Sequence, residues 1–207
     1  MSTREIFSHI AGRYDLLNRI LSLGREQAWR RSGAVHLPPG RLLDLGAGTG
    51  AAAPVFGSRE VVALDPALEM LALNPARLRV AALGEALPFG DESFDGAFSA
   101  YVLRNLDSLS AALQEVARVL RPGGAFVVVD LGRPPSGVAR RVHQLATAVV
   151  LPLAGASIGA RREYGYLHRS LDKYPQPEAL FVGAPLHLER VWRMGPWGFV
   201  YGAVLRK

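Results

Sequence analysis

Apolar residues along the chain gather into short runs that alternate with helically spaced stretches. Arg41 to Leu45, Glu60 to Leu64, Leu78 to Leu83, Gly96 to Ala100 and Ala125 to Val129 are too short for helices, and glycine, proline or polar clusters bound them. Such runs read as strands, and those apolar at every position read as strands buried on both faces. Between them, Thr49 to Phe56, Pro66 to Leu73 and Ser108 to Leu120 suit helices, the last through Leu109, Leu113, Val116 and Leu120. Arg121 to Gly124 reads as its stop. Repeated strand-helix order demands parallel strands joined by right-handed crossovers. Leu186 to Met194 and Phe199 to Leu205, joined by Gly195-Pro196-Trp197-Gly198, make a closing hairpin. The pattern therefore predicts an α/β fold: a doubly wound, mostly parallel seven-stranded sheet with an antiparallel C-terminal hairpin.

Two stretches stand outside this alternation. Residues 3 to 24 place Ile6, Ile10, Tyr14, Leu17 and Ile20 or Leu21 on one helical face, and a second short helix carries Trp29 between Arg25 and Val35. Residues 1–35 are thus either packing or a helical lid over an apolar ligand. Residues 136–170 hold an apolar helix with Leu151-Pro152-Leu153-Ala154-Gly155, then the aromatic and basic stretch Arg161 to Arg169 with Tyr164 and Tyr166. This segment reads as an insertion over the sheet's ligand edge.

Composition narrows the picture. With 207 residues, 49% of them hydrophobic, the chain suits one well-buried core, so residues 1–207 are expected to be a single domain. The absence of cysteine excludes disulfides and thiolate metal sites, and His9, His143 and His168 lack metal-ligand spacing. The opening Met-Ser-Thr-Arg-Glu has no apolar signal core, and no run reaches the ~18 apolar residues of a membrane span. A cytoplasmic protein is the expectation. A formal charge of +6 and a pI near 10.2 suit an anionic membrane surface or nucleic acid, but the arginines are scattered and form no nucleic-acid stripe.

Candidate chemistry begins where the first strand runs into Gly46-Ala47-Gly48-Thr49-Gly50. Small residues there let the backbone approach a ligand closely, and Asp44 sits at the strand's carboxyl end, where open α/β sheets bind ligands. Asp65 closes the next strand nineteen positions after Gly46 (65 minus 46), which suits an acceptor for a ribose diol. A nucleotide-like cofactor is expected. A dehydrogenase fingerprint would put its third glycine one position later, where this chain has Ala51, so spacing alone leaves that option open.

Several segments together resemble one family. Ile10-Ala11-Gly12-Arg13-Tyr14-Asp15-Leu16-Leu17-Asn18 through Leu21-Ser22-Leu23-Gly24, then Trp29-Arg30, is similar to the opening signature of the ubiquinone/menaquinone biosynthesis C-methyltransferases, of the class I S-adenosylmethionine-dependent fold. Leu103-Arg104-Asn105 resembles their leucine-arginine-asparagine motif, and Leu151-Pro152 with Gly155, Tyr166-Leu167 and Ser170 resembles their insertion. The resemblance implies methyl transfer from S-adenosylmethionine to a ring carbon of a prenylated quinol such as demethylmenaquinol. It assigns Asp44, Gly46, Gly48, Thr49 and Gly50 to the methionine part, Asp65 to the ribose, and Leu83 and Gly84 to adenine, with Ala47, Pro66, Glu85 and Ala100 lining the same site. Glu85 is a candidate adenine acceptor, because Leu83 stands where the family commonly has Asp or Asn. Arg104, Asn105 and Tyr14 become candidates for the chemistry. Bland readings stand beside them: Arg104 paired with Asp107, Asn105 capping the next helix, Tyr14 in the core. Residues 3–24 and 136–170 are expected to form an apolar mouth at the membrane surface. The alternatives are a class I methyltransferase for another small molecule or RNA, and a non-catalytic binder.

Overall fold

The computed structural model describes residues 22, 24–135, 137–157, 171, 172 and 174–207. Helix α1 (Glu26–Ala34) precedes strand β1 (Arg41–Leu45). Then come β2 (Glu60–Leu64), α2 (Leu68–Leu73), β3 (Leu78–Val80), β4 (Phe94–Ala100), α3 (Leu109–Val119), β5 (Leu120–Leu131) and α4 (Gly137–Ser157). A short α5 (Pro177–Leu180) leads to β6 (His187–Met194) and β7 (Val200–Arg206). The strands form one seven-stranded sheet in the order β3-β2-β1-β4-β5-β7-β6. Strands β1 to β5 pair in parallel, while β7 lies antiparallel between β5 and β6. This is the doubly wound sheet with a C-terminal hairpin that the hydrophobic pattern predicts.

The sheet carries a core on each face. Leu43, Leu45, Phe126 and Val128 point toward α3, where Leu113 and Val116 meet them. Leu42, Phe98, Val127 and Val129 point to the other side, toward Trp29 and Ala34 of α1. Alternation along β5 thus buries both faces of the strand. Gly33 sets how closely α1 approaches: a Cβ there would stand 2.7 Å from Val129 Cγ2 and 3.2 Å from the Phe98 ring. Any larger residue would lift α1 off the sheet.

Four local expectations change. Thr49 to Phe56 is not a helix; only a 3₁₀ turn, Ala53–Val55, forms there. Pro54 has no N–H to donate back and disfavours helical geometry in the residue before it. The third strand ends at Val80 rather than Leu83. Helix α2 begins at Leu68, with Ala67 extended before it. Arg121 to Gly124 does not separate helix from strand, because β5 already begins at Leu120 and the irregularity is absorbed by a register shift against Phe94 and Gly96. Tyr14, Tyr164 and Tyr166 lie outside the described residues. No helix among the described residues is long and apolar enough to cross a membrane.

Candidate active site

The glycine turn is held from three directions. Gly46 and Ala47 donate their N–H groups to the Leu64 carbonyl at 2.8 and 2.9 Å, which locks the turn to the end of β2. Gly46 has φ +72°, and a Cβ there would overlap the Val102 side chain, so the position needs glycine twice over. Asp65 accepts from Gly48 N–H at 2.9 Å and, through its other oxygen, from Ala67 N–H at 2.9 Å. Asn74 finishes the brace: Nδ2 donates to the Gly48 carbonyl at 3.0 Å while Oδ1 accepts from Ala76 N–H at 2.9 Å. A carboxylate oxygen takes more than one hydrogen bond, so bracing the turn leaves Asp65 able to accept from a ligand hydroxyl.

Two carboxyls share this edge, and both are perturbed by it. Burial pushes Asp44 up to about 7, with the Arg30 charge opposing and Asp65 adding to the rise. Asp65 is also raised, by burial first, with its bonds to Ala67 and Gly48 working the other way. Near neutral pH Asp44 is therefore poised between its two forms, unlike an ordinary surface aspartate.

The remaining cofactor candidates line the same carboxyl edge unevenly. Ala47 is buried, Thr49 is half-buried and Gly50 lies against Asn74 and Pro75. Pro66 is exposed, whereas Leu83 and Ala100 are half-buried. Gly84 is buried below Leu45 and Leu106. Glu85 accepts from Asp107 N–H at 2.7 Å and Ser108 N–H at 3.2 Å with one oxygen, which ties the 83–85 segment to the start of α3. Ser99, beside Ala100, is fully buried and its hydroxyl donates to the Leu45 carbonyl at 3.1 Å. A cleft of about 680 Å³ beside Asp44 runs past Phe56, Pro75 and Leu78 toward the strands' amino ends, away from this edge.

Arg104 sits in the 3₁₀ turn Leu103–Asn105 beyond β4, next to Tyr101 with its strained φ of +66°. Its partner is Asp130 at the end of β5, not Asp107. Nε and Nη2 donate to Asp130 Oδ1 at 3.2 and 3.1 Å, with side-chain exposures of 4% and 0%. Asp130 also accepts from Leu103 N–H at 3.1 Å and Leu131 N–H at 2.7 Å. The pair is therefore dry, and the carboxylate holds the turn as well as the guanidinium. Ser108, not Asn105, caps α3 by accepting from Ala111 N–H at 3.2 Å. The side-chain amide of Asn105 has no hydrogen-bond partner among the described residues, which leaves it available to a ligand. Tyr174 and Tyr201 place buried hydroxyls, without partners among the described residues, near this pair. Burial, then the Asp130 charge, pushes both phenols up.

Three residues that matter here were not among the expected site residues. Asp130 was visible as the polar terminus of an all-apolar strand. Asn74 begins an Asn-Pro pair, a turn marker that says nothing of the glycine turn it braces. Arg30 gave no sign of burial, since long basic side chains are mostly exposed.

Comparison with known proteins places the chain in a family. Residues 2–182 match the ubiE/COQ5 methyltransferase family. The demethylmenaquinone methyltransferase of Thermus thermophilus is 42% identical over 193 residues, covering 84% of this chain and 87% of that protein. That of Deinococcus radiodurans is 38% identical over 195 residues, covering 86% and 81%. The ubiquinone/menaquinone biosynthesis C-methyltransferase UbiE of Syntrophotalea carbinolica is 36% identical over 188 residues, covering 84% and 79%. Among solved structures, an S-adenosylmethionine-dependent methyltransferase from Thermotoga maritima, described as a possible histamine N-methyltransferase, superposes with a TM-score of 0.68 at 19% identity over 99% of both chains. That likeness shows the fold alone. The chain belongs to the ubiE/COQ5 methyltransferase family and is an S-adenosylmethionine-dependent methyltransferase of the class I fold.

Proposed function

We propose that this enzyme C-methylates a prenylated quinol, demethylmenaquinol in the first instance, with the donor held on the β1–β2 side of the carboxyl edge and the ring on the β4–β5 side. The observation that carries the reading is the dry Arg104–Asp130 pair standing beside the glycine turn. The names of the relatives, two of them demethylmenaquinone methyltransferases, support the choice of substrate.

On this reading Asp65 accepts from the ribose hydroxyls, and the turn from Gly46 to Gly50 receives the methionine part of the donor next to Asp44. Leu83, Gly84 and Ala100 give the adenine an apolar wall. When bound, S-adenosylmethionine supplies a methyl group made electrophilic by its sulfonium. A quinol carbon ortho to a hydroxyl becomes nucleophilic as that hydroxyl gives up its proton, so the protein's task is to stabilise the oxygen's growing negative charge. Arg104 stays protonated and serves as that fixed positive partner, not as a base. Asp130 keeps the guanidinium from turning away, Asn105 orients the ring oxygen or a water that takes the proton, and Tyr14 reaches the ring from the N-terminal segment.

The substrate's tail gives the outer face of α4 a role. Val138, Val142, Leu145, Val149 and Leu153 follow helical spacing and are all exposed, while His143 and Leu151 on the opposite face are buried. Exposed Arg141 lies close to this apolar stripe, and the chain's charge is +6. This face rests on an anionic lipid surface and draws the quinol from it, which makes the enzyme a cytoplasmic, peripherally attached one. Flotation with anionic vesicles at low salt should carry the parent upward, and Leu145→Glu with Val149→Glu should abolish that. A parent that stays at the bottom rejects the membrane role. The activity itself is tested by incubating the enzyme with methyl-labelled S-adenosylmethionine and demethylmenaquinol: a labelled quinone supports the assignment, and none rejects it.

A further inference from the structure

Gln27 and Arg30 stand three residues apart on α1, so their side chains leave the same helix face. Arg30 is only 8% exposed. Its guanidinium lies 5.1 Å from the centre of the Tyr101 ring, and its Nε and Nη1 have no hydrogen-bond partner among the described residues. Its charge is felt by Asp44, yet the two make no ion pair within 4.0 Å. Gln27 donates from Nε2 to the Ala51 carbonyl at 2.8 Å, which pins this face of α1 to the end of the glycine turn. That bond also fixes the orientation of the amide, because a carbonyl can only accept. Gln27 Oε1 is left buried with no donor among the described residues.

A buried cation with unmet N–H groups and a buried acceptor without a donor are each costly to keep. A methionine at position 30 would fill the same space without that cost. The two unmet groups, one seeking an anion and one seeking a donor, match the two ends of a zwitterionic amino acid. Asp44 alone would repel such a ligand's carboxylate, so a cation is needed in this place.

We infer that Gln27 and Arg30 receive the amino-acid end of the methyl donor, the carboxylate on Arg30 and the ammonium on Gln27 Oε1. This rests on the cofactor reading above and extends it from the glycine turn to a helix that precedes the sheet. Arg30 is a binding residue here, not a catalytic one.

The test compares two ligands by titration calorimetry: S-adenosylhomocysteine, which has the amino-acid end, and 5′-methylthioadenosine, which lacks it. Arg30→Met should weaken S-adenosylhomocysteine by about 30- to 100-fold, as expected for losing hydrogen bonds to a charged group, and leave methylthioadenosine within about threefold. Arg30→Lys should recover part of the loss, and Gln27→Leu should show a smaller loss of the same selectivity. The unfolding midpoint of ligand-free Arg30→Met should equal or exceed the parent's, since an unpaired buried charge has gone. Unchanged S-adenosylhomocysteine affinity, equal losses for both ligands, or ligand-free midpoints that fall in both Arg30→Met and Arg30→Lys would overturn the inference. A parent that binds neither ligand overturns the cofactor reading itself, and this inference with it.

Discussion

The two halves of the sheet's carboxyl edge are built on different principles. On the β1–β2 side, side chains serve the backbone: Asp65 accepts from the glycine turn and Asn74 donates to it, and on the proposed reading the turn holds the donor. On the β4–β5 side the order is reversed. There the backbone serves side chains, with Leu103 and Leu131 donating to Asp130 so that Asp130 can hold Arg104. The first arrangement makes a cradle of neutral amides, suited to holding a large ligand whose shape does not change. The second isolates one charge pair from water, where it acts strongly on charge that develops during a reaction. Holding and chemistry are thereby separable, and substitutions should separate them.

The largest effect should come from Asp130→Ala. It leaves Arg104 as a buried charge without its carboxylate, and about 3–5 kcal/mol of stability should be lost in urea unfolding. Joint replacement by Arg104→Met and Asp130→Leu should restore most of that while turnover stays absent. Recovery of turnover in the double variant would break the comparison, because it would make the pair structural only.

Next in size is Arg104→Lys, which keeps the charge but loses the forked contact with Asp130. Turnover should fall at least about a hundredfold, with affinity for S-adenosylhomocysteine nearly unchanged. Loss of both together would mean that the two halves are not separable. Arg104→Ala should likewise abolish turnover and spare cofactor affinity.

The cradle side has its own titration. Asp44 is raised from 3.8 to about 7, so between those values the folded chain keeps a proton that the unfolded chain has released. Stability therefore falls as pH rises through that window, by about 4 kcal/mol. Asp44→Asn should remove this slope in thermal midpoints measured from pH 4 to 8 and leave the variant the more stable at pH 8. It should also weaken the cofactor. A slope identical to the parent's would remove Asp44 as its source.

The smallest effect tests the surroundings of the charge pair. Tyr174→Phe deletes a buried hydroxyl with no partner, so stability should change by less than about 1 kcal/mol, in the direction of gain. A kinetic loss without a stability loss would mean that the hydroxyl meets substrate, which would sharpen the view of the β4–β5 side as the ring's half.

The same contrast explains what is legible in the amino-acid order alone. The cradle is local in sequence: the glycines, Asp44 and Asp65 announce themselves by spacing, and the alternation of apolar runs predicts the sheet down to its terminal hairpin. Pro54 defeated the expected helix after the turn because a single missing N–H outweighs the helix propensity of the alanines around it. Arg104 was legible as a motif residue, but its partner was not. Asp107 is three residues away and Asp130 twenty-six, and only the pairing of β4 with β5 decides between them. Glu85 was legible as a candidate acceptor, but its tie to the Asp107 and Ser108 N–H groups was not, because those lie more than twenty residues further along the chain. Nothing in a helical pattern reveals that Arg30 is buried, since that depends on how closely Gly33 lets α1 sit on the sheet.

The central claim is methyl transfer to a quinol ring carbon beside Arg104. The most direct test is to locate the label by mass spectrometry after reaction of the parent enzyme with methyl-labelled S-adenosylmethionine and demethylmenaquinol. The account predicts label on the ring carbon, and none in the Arg104→Lys reaction above about a hundredth of the parent's. Label on a hydroxyl oxygen, or equal ring labelling by parent and variant, would contradict it.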